Sequence, residues 1–149
     1  MNIDAHTNIY DQPKKRETDF EKERRMFFLE KELEIYRRTI KRIIGKKNNS
    51  YYVLSIDNIV AFGSKDKYNY CKTKDEEYRI KEQLYFLEEV LPKDNFLRIS
   101  NSIIINIDFI KCFNTDIVGT IIVEMKDGSK EAVSKRRNKD IMNFIKNIK

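Results

Sequence analysis

The spacing of apolar residues changes once along this 149-residue chain, and that change fixes the kind of fold open to it. From about Glu17 to Ile44 the apolar residues Met26, Leu29, Leu33, Tyr36, Ile40 and Ile43 recur at steps of three and four. This is the a/d seam of a helix, with Glu, Lys and Arg filling the positions between. Phe27, Phe28 and Ile35 lie off the seam and widen the apolar face. Beyond Ser50 the runs shorten and become β-branched and aromatic, which is strand chemistry. The chain therefore reads as a helix followed by a domain of many short strands.

A single amphipathic helix is marginal in water, so its stripe must be covered. Pairing with a second copy, docking into a partner's groove, and packing on the chain's own C-terminal domain all remain open. The seam runs for about two and a half heptads, short of the three to four that define a coiled coil. Gly45-Lys-Lys-Asn-Asn-Ser50 reads as the helix stop, since glycine commonly follows a helix C-terminus. The expected organisation is a disordered tail over 1–15, an amphipathic helix over 16–45 that is a candidate homodimer interface, and a folded domain over 50–149. The tail carries Pro13 and a Lys-Lys-Arg cluster and shows no hydrophobic period.

Strands are predicted over 51–56, 59–63, 68–73, 78–80, 96–100, 102–105, 109–113, 120–125 and 131–134. Asp127-Gly128 marks a hairpin turn between the last two. A helix is predicted over 81–91, with Leu84, Leu87, Val90 and Leu91 on one face and Pro92 as its stop. A second, over 135–148, presents Ile141, Phe144, Ile145 and Ile148.

Composition narrows the function. The formal net charge of +6 suits a polyanion such as nucleic acid or an anionic lipid surface, and equally a solvated lysine-rich surface. Cys71 and Cys112 form no CxxC pair and read as core or inert surface residues of a reduced, cytoplasmic protein. No apolar signal segment opens the sequence, and no run approaches the length of a membrane span. The one histidine, His6, lies in the tail. No nucleophile elbow, zinc-protease helix, phosphate loop or dinucleotide fingerprint is present. An enzyme is not expected, and neither is a cofactor, a metal or a small-molecule substrate.

From about Tyr51 to Ile145 the sequence resembles the LytTR family of bacterial DNA-binding domains. Asp57-Asn-Ile-Val-Ala-Phe62, Lys65-Asp-Lys-Tyr68 and Tyr78-Arg-Ile-Lys-Glu82 come first. Phe96-Leu-Arg-Ile-Ser-Asn-Ser-Ile-Ile-Ile-Asn106 and Ile107-Asp-Phe-Ile110 follow, then Val123-Glu-Met-Lys-Asp-Gly128 and Val133-Ser-Lys-Arg-Arg137. Each segment is weak alone; their order and spacing are specific.

The resemblance implies an elongated, mostly β (α+β) antiparallel multi-sheet domain with one internal and one C-terminal helix. It implies a transcription regulator that inserts loops into successive major grooves of double-stranded DNA. Asn101 and Arg136 then fall at the two main base-contacting positions, and Asn69 at a weaker, more variable one. The chemistry agrees: an Asn amide pairs bidentately with adenine, and an Arg guanidinium with guanine, each worth about 1–3 kcal/mol of discrimination. Lys65, Lys67, Lys135 and Arg137 suit phosphate contacts. Arg98 suits a phosphate or a pairing on the sheet surface.

Plainer roles stand beside these. Asn101 is also a turn former, and Lys135 to Arg137 also suit the solvated start of the last helix, although basic residues are unexpected at a helix N-terminus. Asn106 and Asp108 read as turn-makers rather than contacts. Two departures from the family pattern matter. Ser100 stands where many members carry His, which keeps a hydrogen bond to phosphate or base but loses reach and charge. Fewer than 50 residues precede the matching segment, too few for the receiver domain that many members carry. The competing reading is a protein-interaction module acting through the N-terminal helix, with weak DNA binding. RNA binding has no supporting signature.

Overall fold

The computed structural model describes residues 16–148, and over 36–39 the backbone alone. The expected tail over 1–15, with His6, lies outside the described residues. The chain divides into two compact units, residues 1–33 and 34–149.

Helix α1 spans Asp19–Thr39. It starts at a reciprocal cap: the Glu21 N–H donates to Thr18 Oγ1 at 3.0 Å, and the Thr18 N–H donates to Glu21 Oε1 at 2.9 Å. Two orphan N–H groups of the first turn are thereby satisfied. The helix carries Phe20, Met26, Phe27, Phe28, Leu29 and Ile35 in exposed positions. Arg24 lies over the rings of Phe20 and Phe28, and Lys31 over that of Phe27.

The helix ends earlier than its spacing predicts. Residues Arg42–Lys47 form strand β1, paired along its whole length with β2 (Ser50–Ser55). Gly45 is thus a strand residue in place of a helix stop, and its backbone is not left-handed. A Cβ there would lie 2.6 Å from Tyr78 Cβ and 2.8 Å from Leu54 Cδ1, so glycine is needed for space. The Asn-rich stretch is the hairpin turn, with Asn48 at φ 57° in the left-handed region that Asn tolerates. Ile43 is correspondingly buried in the sheet's core, not on a helix seam.

The second unit is built on β3 (Ala61–Lys65), β4 (Tyr68–Lys72), β5 (Glu77–Ile80), α2 (Leu84–Val90), β6 (Phe96–Ser100), β7 (Ile103–Asn106), β8 (Ile110–Thr115), β9 (Ile121–Met125), β10 (Lys130–Ala132) and α3 (Asn138–Asn147). Seven strands form one sheet in the order β2-β1-β5-β4-β3-β7-β6, and β10-β9-β8 form a second; all pairings are antiparallel. The fold is mostly β with one internal and one C-terminal helix, as the sequence predicts.

Strand alternation explains why the apolar runs are continuous. On β7, Ile104 faces a core with Phe62, Phe96, Leu84, Leu87 and Leu91. Its neighbours Ile103 and Ile105 face a second core with Val123, Met125, Val133 and Ile141. A strand buried on both faces loses the apolar–polar alternation of a half-exposed one. Asn106 ends β7 almost fully buried. Its Nδ2 donates to the Ile59 carbonyl at 2.8 Å, and its Oδ1 accepts the Asp108 N–H at 2.9 Å. It is the turn-maker that the sequence suggests. Cys71 is buried, and desolvation pushes its thiol up to about 12. Among the described residues no helix is long and apolar enough to cross a membrane.

Candidate nucleic-acid interface

Antiparallel order brings four strand ends together. β3 and β6 both pair with β7, so the end of β3, the start of β4, the end of β6 and the start of β7 share one end of the larger sheet. The turn Lys65 to Tyr68 and the loop Ser100 to Ser102 therefore lie at that end. They are tied by the Ser64 N–H donating to the Ser102 carbonyl at 2.9 Å. The Ser134 N–H donates to the Ile99 carbonyl at 2.9 Å and brings in a third segment, the single 3-10 turn Lys135–Arg137.

All nine residues expected to meet DNA belong to these three segments or border them. Asn101, Lys65, Lys67, Lys135 and Arg136 are exposed; Ser100 and Asn69 are half-buried. Asn69 donates its Nδ2 to the Glu82 carbonyl at 2.9 Å, so part of its amide is engaged within the fold. Lys65 pairs with Glu77 at 2.8 Å and lies 4.6 Å from the centroid of the Tyr70 ring. The Glu77 hydrogen bond raises the pKa of Lys65 and keeps it cationic. Ser100 Oγ accepts the Ser102 N–H at 3.2 Å and shapes the loop.

Arg98 and Arg137 behave differently from the other cations. A β-bulge at Ile99 sets Arg98 facing the loop that follows. Its Nε donates to the Ser100 carbonyl at 3.0 Å and its Nη2 to the Asn101 carbonyl at 2.7 Å. Its Nη1 donates to Glu88 Oε1 at 2.9 Å. Arg137 Nη1 donates to the other oxygen, Glu88 Oε2, at 2.7 Å. The side chains of Arg98 and Arg137 are only 12% and 19% exposed. Partial burial works to raise the Glu88 carboxyl pKa, but the hydrogen bonds from Arg137 and Arg98 outweigh it and hold the group below its usual value.

The pairing of Glu88 with two arginines is not visible in the sequence. Glu88 sits among the leucines of α2 as one more surface acid, and its two partners lie 10 and 49 residues away. Arg79 stacks 4.1 Å from the centroid of the Tyr68 ring beside the first turn. The last helix also starts later than expected. Lys135 to Arg137 form their own turn, and α3 begins at Asn138 with Asp140 in its first turn, so the helix N-terminus carries the acid it favours.

A mostly antiparallel domain that gathers exposed Asn, Lys and Arg from three separated segments at one sheet end has the form of a nucleic-acid reader. Residues 49–146 match the family model of the LytTr DNA-binding domain, and the chain belongs to that family. It is 29% identical over 96 residues to the sensory transduction protein LytT of Bacillus subtilis, covering 64% of this chain and 40% of that protein. Its Bacillus cereus counterpart is 32% identical over 97 residues, with 65% and 39% covered. The chain thus spans about two fifths of the LytT proteins it matches. An HTH-type transcriptional regulator of Staphylococcus aureus is 27% identical over 107 residues, covering 72% of this chain and 67% of that one. In structure, the fold matches a LytTr DNA-binding domain from Bacillus cereus with a TM-score of 0.67 at 24% identity, over 70% of this chain and 96% of that one.

Proposed function

We propose that this chain is a sequence-specific regulator of transcription that reads duplex DNA with the sheet end carrying Asn101 and Arg136, its loops entering successive major grooves. The observation that carries the reading is the convergence of three chain-distant segments, each with an exposed polar or basic side chain, on one sheet end. Asn101 reads an adenine and Arg136 a guanine. Asn69 contributes less, because its amide nitrogen is held by Glu82. Lys65, Lys67, Lys135 and Ser100 contact phosphates, which supply affinity and fix register. Arg98 and Arg137, tied to Glu88, act behind the surface rather than as free phosphate clamps. The similar proteins named as sensory transduction and transcriptional regulator proteins support a regulatory role, and such a role places the protein in the cytoplasm with the DNA. Two copies joined through α1 would read two half-sites.

A second reading has its own observation: the exposed Phe20, Met26, Phe27, Phe28, Leu29 and Ile35 suit a chain that docks on another protein and binds DNA weakly. One experiment separates the two. Binding sites are selected from a random duplex library, and the best site is titrated at several salt concentrations. Asn101→Ala and Arg136→Ala should each weaken binding by about 1–3 kcal/mol and relax one base position. Lys67→Ala should weaken all sites alike and lower the salt slope by about one. Salt-sensitive binding with no selected motif would sink the base-reading proposal and turn attention to α1.

A further inference from the structure

The base-reading proposal leaves open what holds two separate reading segments at a fixed spacing. The loop bearing Asn101 and the turn bearing Arg136 share one backbone link, from Ser134 to Ile99. A side-chain route between them passes through one carboxylate, beside the shared packing of Ile99 and Val133. Glu88 Oε1 takes Arg98, which grips the carbonyls of Ser100 and of Asn101 itself. Glu88 Oε2 takes Arg137, the residue next to Arg136. The chain of contacts runs from the Asn101 backbone through Arg98, Glu88 and Arg137 to the Arg136 backbone. It is anchored on α2 between the buried Leu87 and Leu91.

From this geometry we infer that Glu88 is a positioning residue for DNA recognition: it sets the spacing between the two base-reading segments and withholds two guanidinium groups from the DNA backbone. The inference rests on the reading that Asn101 and Arg136 contact bases. Base recognition by bidentate hydrogen bonds tolerates little misplacement, and a reader is only as accurate as the side chains that support it. An isolated exposed ion pair contributes little. Here one carboxylate joins two guanidiniums that are mostly buried, and one of these also holds two backbone carbonyls. The second half of the inference is electrostatic. With Glu88 in place, Arg98 and Arg137 are neutralised in part and turned inward. Without it, two cations beside the interface become available to any phosphate, and nonspecific affinity for DNA is mostly such phosphate contact.

The two effects together give a signature that loss of folding does not produce. Glu88→Gln keeps the side-chain shape and removes the charge. In the full chain it should relax the bases read by Asn101 and by Arg136 together. It should also strengthen binding to random duplex and steepen its salt dependence. The ratio of specific to nonspecific affinity should fall about tenfold or more. Glu88→Asp, which keeps the charge, should recover part of that ratio. Arg98→Lys keeps a cation for Glu88 but cannot also hold both carbonyls, so it should relax the Asn101 position and spare the Arg136 position. The inference is overturned if Glu88→Gln leaves the ratio and both base preferences as in wild type, or if specific and nonspecific affinity fall equally. It is also overturned if Arg98→Lys relaxes both positions or neither. A wild-type chain that selects no motif removes the base-reading proposal and this inference with it. A wild-type chain with a motif that Glu88→Gln leaves unchanged removes the inference alone.

Discussion

Asn106 shows how one buried polar side chain can hold a junction. It sits where β7 leaves the sheet, and both ends of its amide are used: the nitrogen on the Ile59 carbonyl and the oxygen on the Asp108 N–H. Asn106→Ala leaves the carbonyl of the fully buried Ile59 without its amide partner, and a buried unsatisfied group costs about 1–3 kcal/mol. Asn106→Asp is nearly the same shape, yet it puts a second acceptor against the Ile59 carbonyl, and at neutral pH a charge in the core. The urea midpoint should fall for Ala and fall further for Asp, with an unchanged m-value. Equal midpoints for Asp and wild type would show that the amide nitrogen contributes nothing. The turn role of Asn106 was legible in the sequence because an Asn followed two residues later by Asp, between strand-like runs, is local information. The pairing of Glu88 was not legible, because both partners are brought to it by the fold.

At the scale of elements, the informative failure is β1. Ile40 and Ile43 continue the three- and four-residue spacing of α1, so the periodicity alone extends the helix to Ile44. The same stretch also fits a strand, with Ile43 and Gly45 buried and Ile44 exposed. A short apolar segment fits both periods, and only pairing with β2 and β5 decides between them. Gly45 was read as a helix stop, yet its reason is the Tyr78 and Leu54 side chains that leave no room for a Cβ. Gly45→Ala tests this directly. In a strand interior with open space, Ala would stabilise by about 0.4–1 kcal/mol through the unfolded chain. Here the obstructing Tyr78 Cβ is fixed to the β5 backbone, so β1 and β5 must part, and overpacking of this kind costs about 1–3 kcal/mol. Thermal unfolding should therefore move down, and an upward shift would contradict the packing at Gly45. The helix start, by contrast, needs no tertiary help: Thr18 and Glu21 close a reciprocal cap three residues apart. Most strands were legible as well, including the doubly buried β7, because β-branched runs between turn residues suffice.

For the whole molecule, the question is how many copies act together. A helix of 21 residues with many exposed apolar side chains gains little by standing alone in water. Met26, Leu29 and Leu33 supply a seam, and the charges flanking it are self-complementary. With Met26 at an a position, Arg25 is at g and Glu30 at e, the two positions that meet between chains of a parallel coiled coil. Arg25 already bonds Glu17 of its own chain, but that pair is exposed and exchanges at little cost. We expect the full chain to form a weak parallel dimer, since the seam is short, and to bind two half-sites separated by about one helical turn of DNA. Charge reversal gives a test that does not depend on guessing affinity. Arg25→Glu alone sets Glu against Glu30 of the second copy, and Glu30→Arg alone sets Arg against Arg25, so each variant should sediment as a monomer. Mixed in equal amounts, they present Glu to Arg at both contacts and should form a heterodimer, visible by native mass spectrometry. Recovery of paired binding to a double site in the mixture would tie the association to DNA recognition. Variants that dimerise as wild type does, or a mixture that stays monomeric, would mean that the seam does not join two copies. The exposed aromatic residues Phe20, Phe27 and Phe28 would then be left for the chain's own second unit or a different protein to cover.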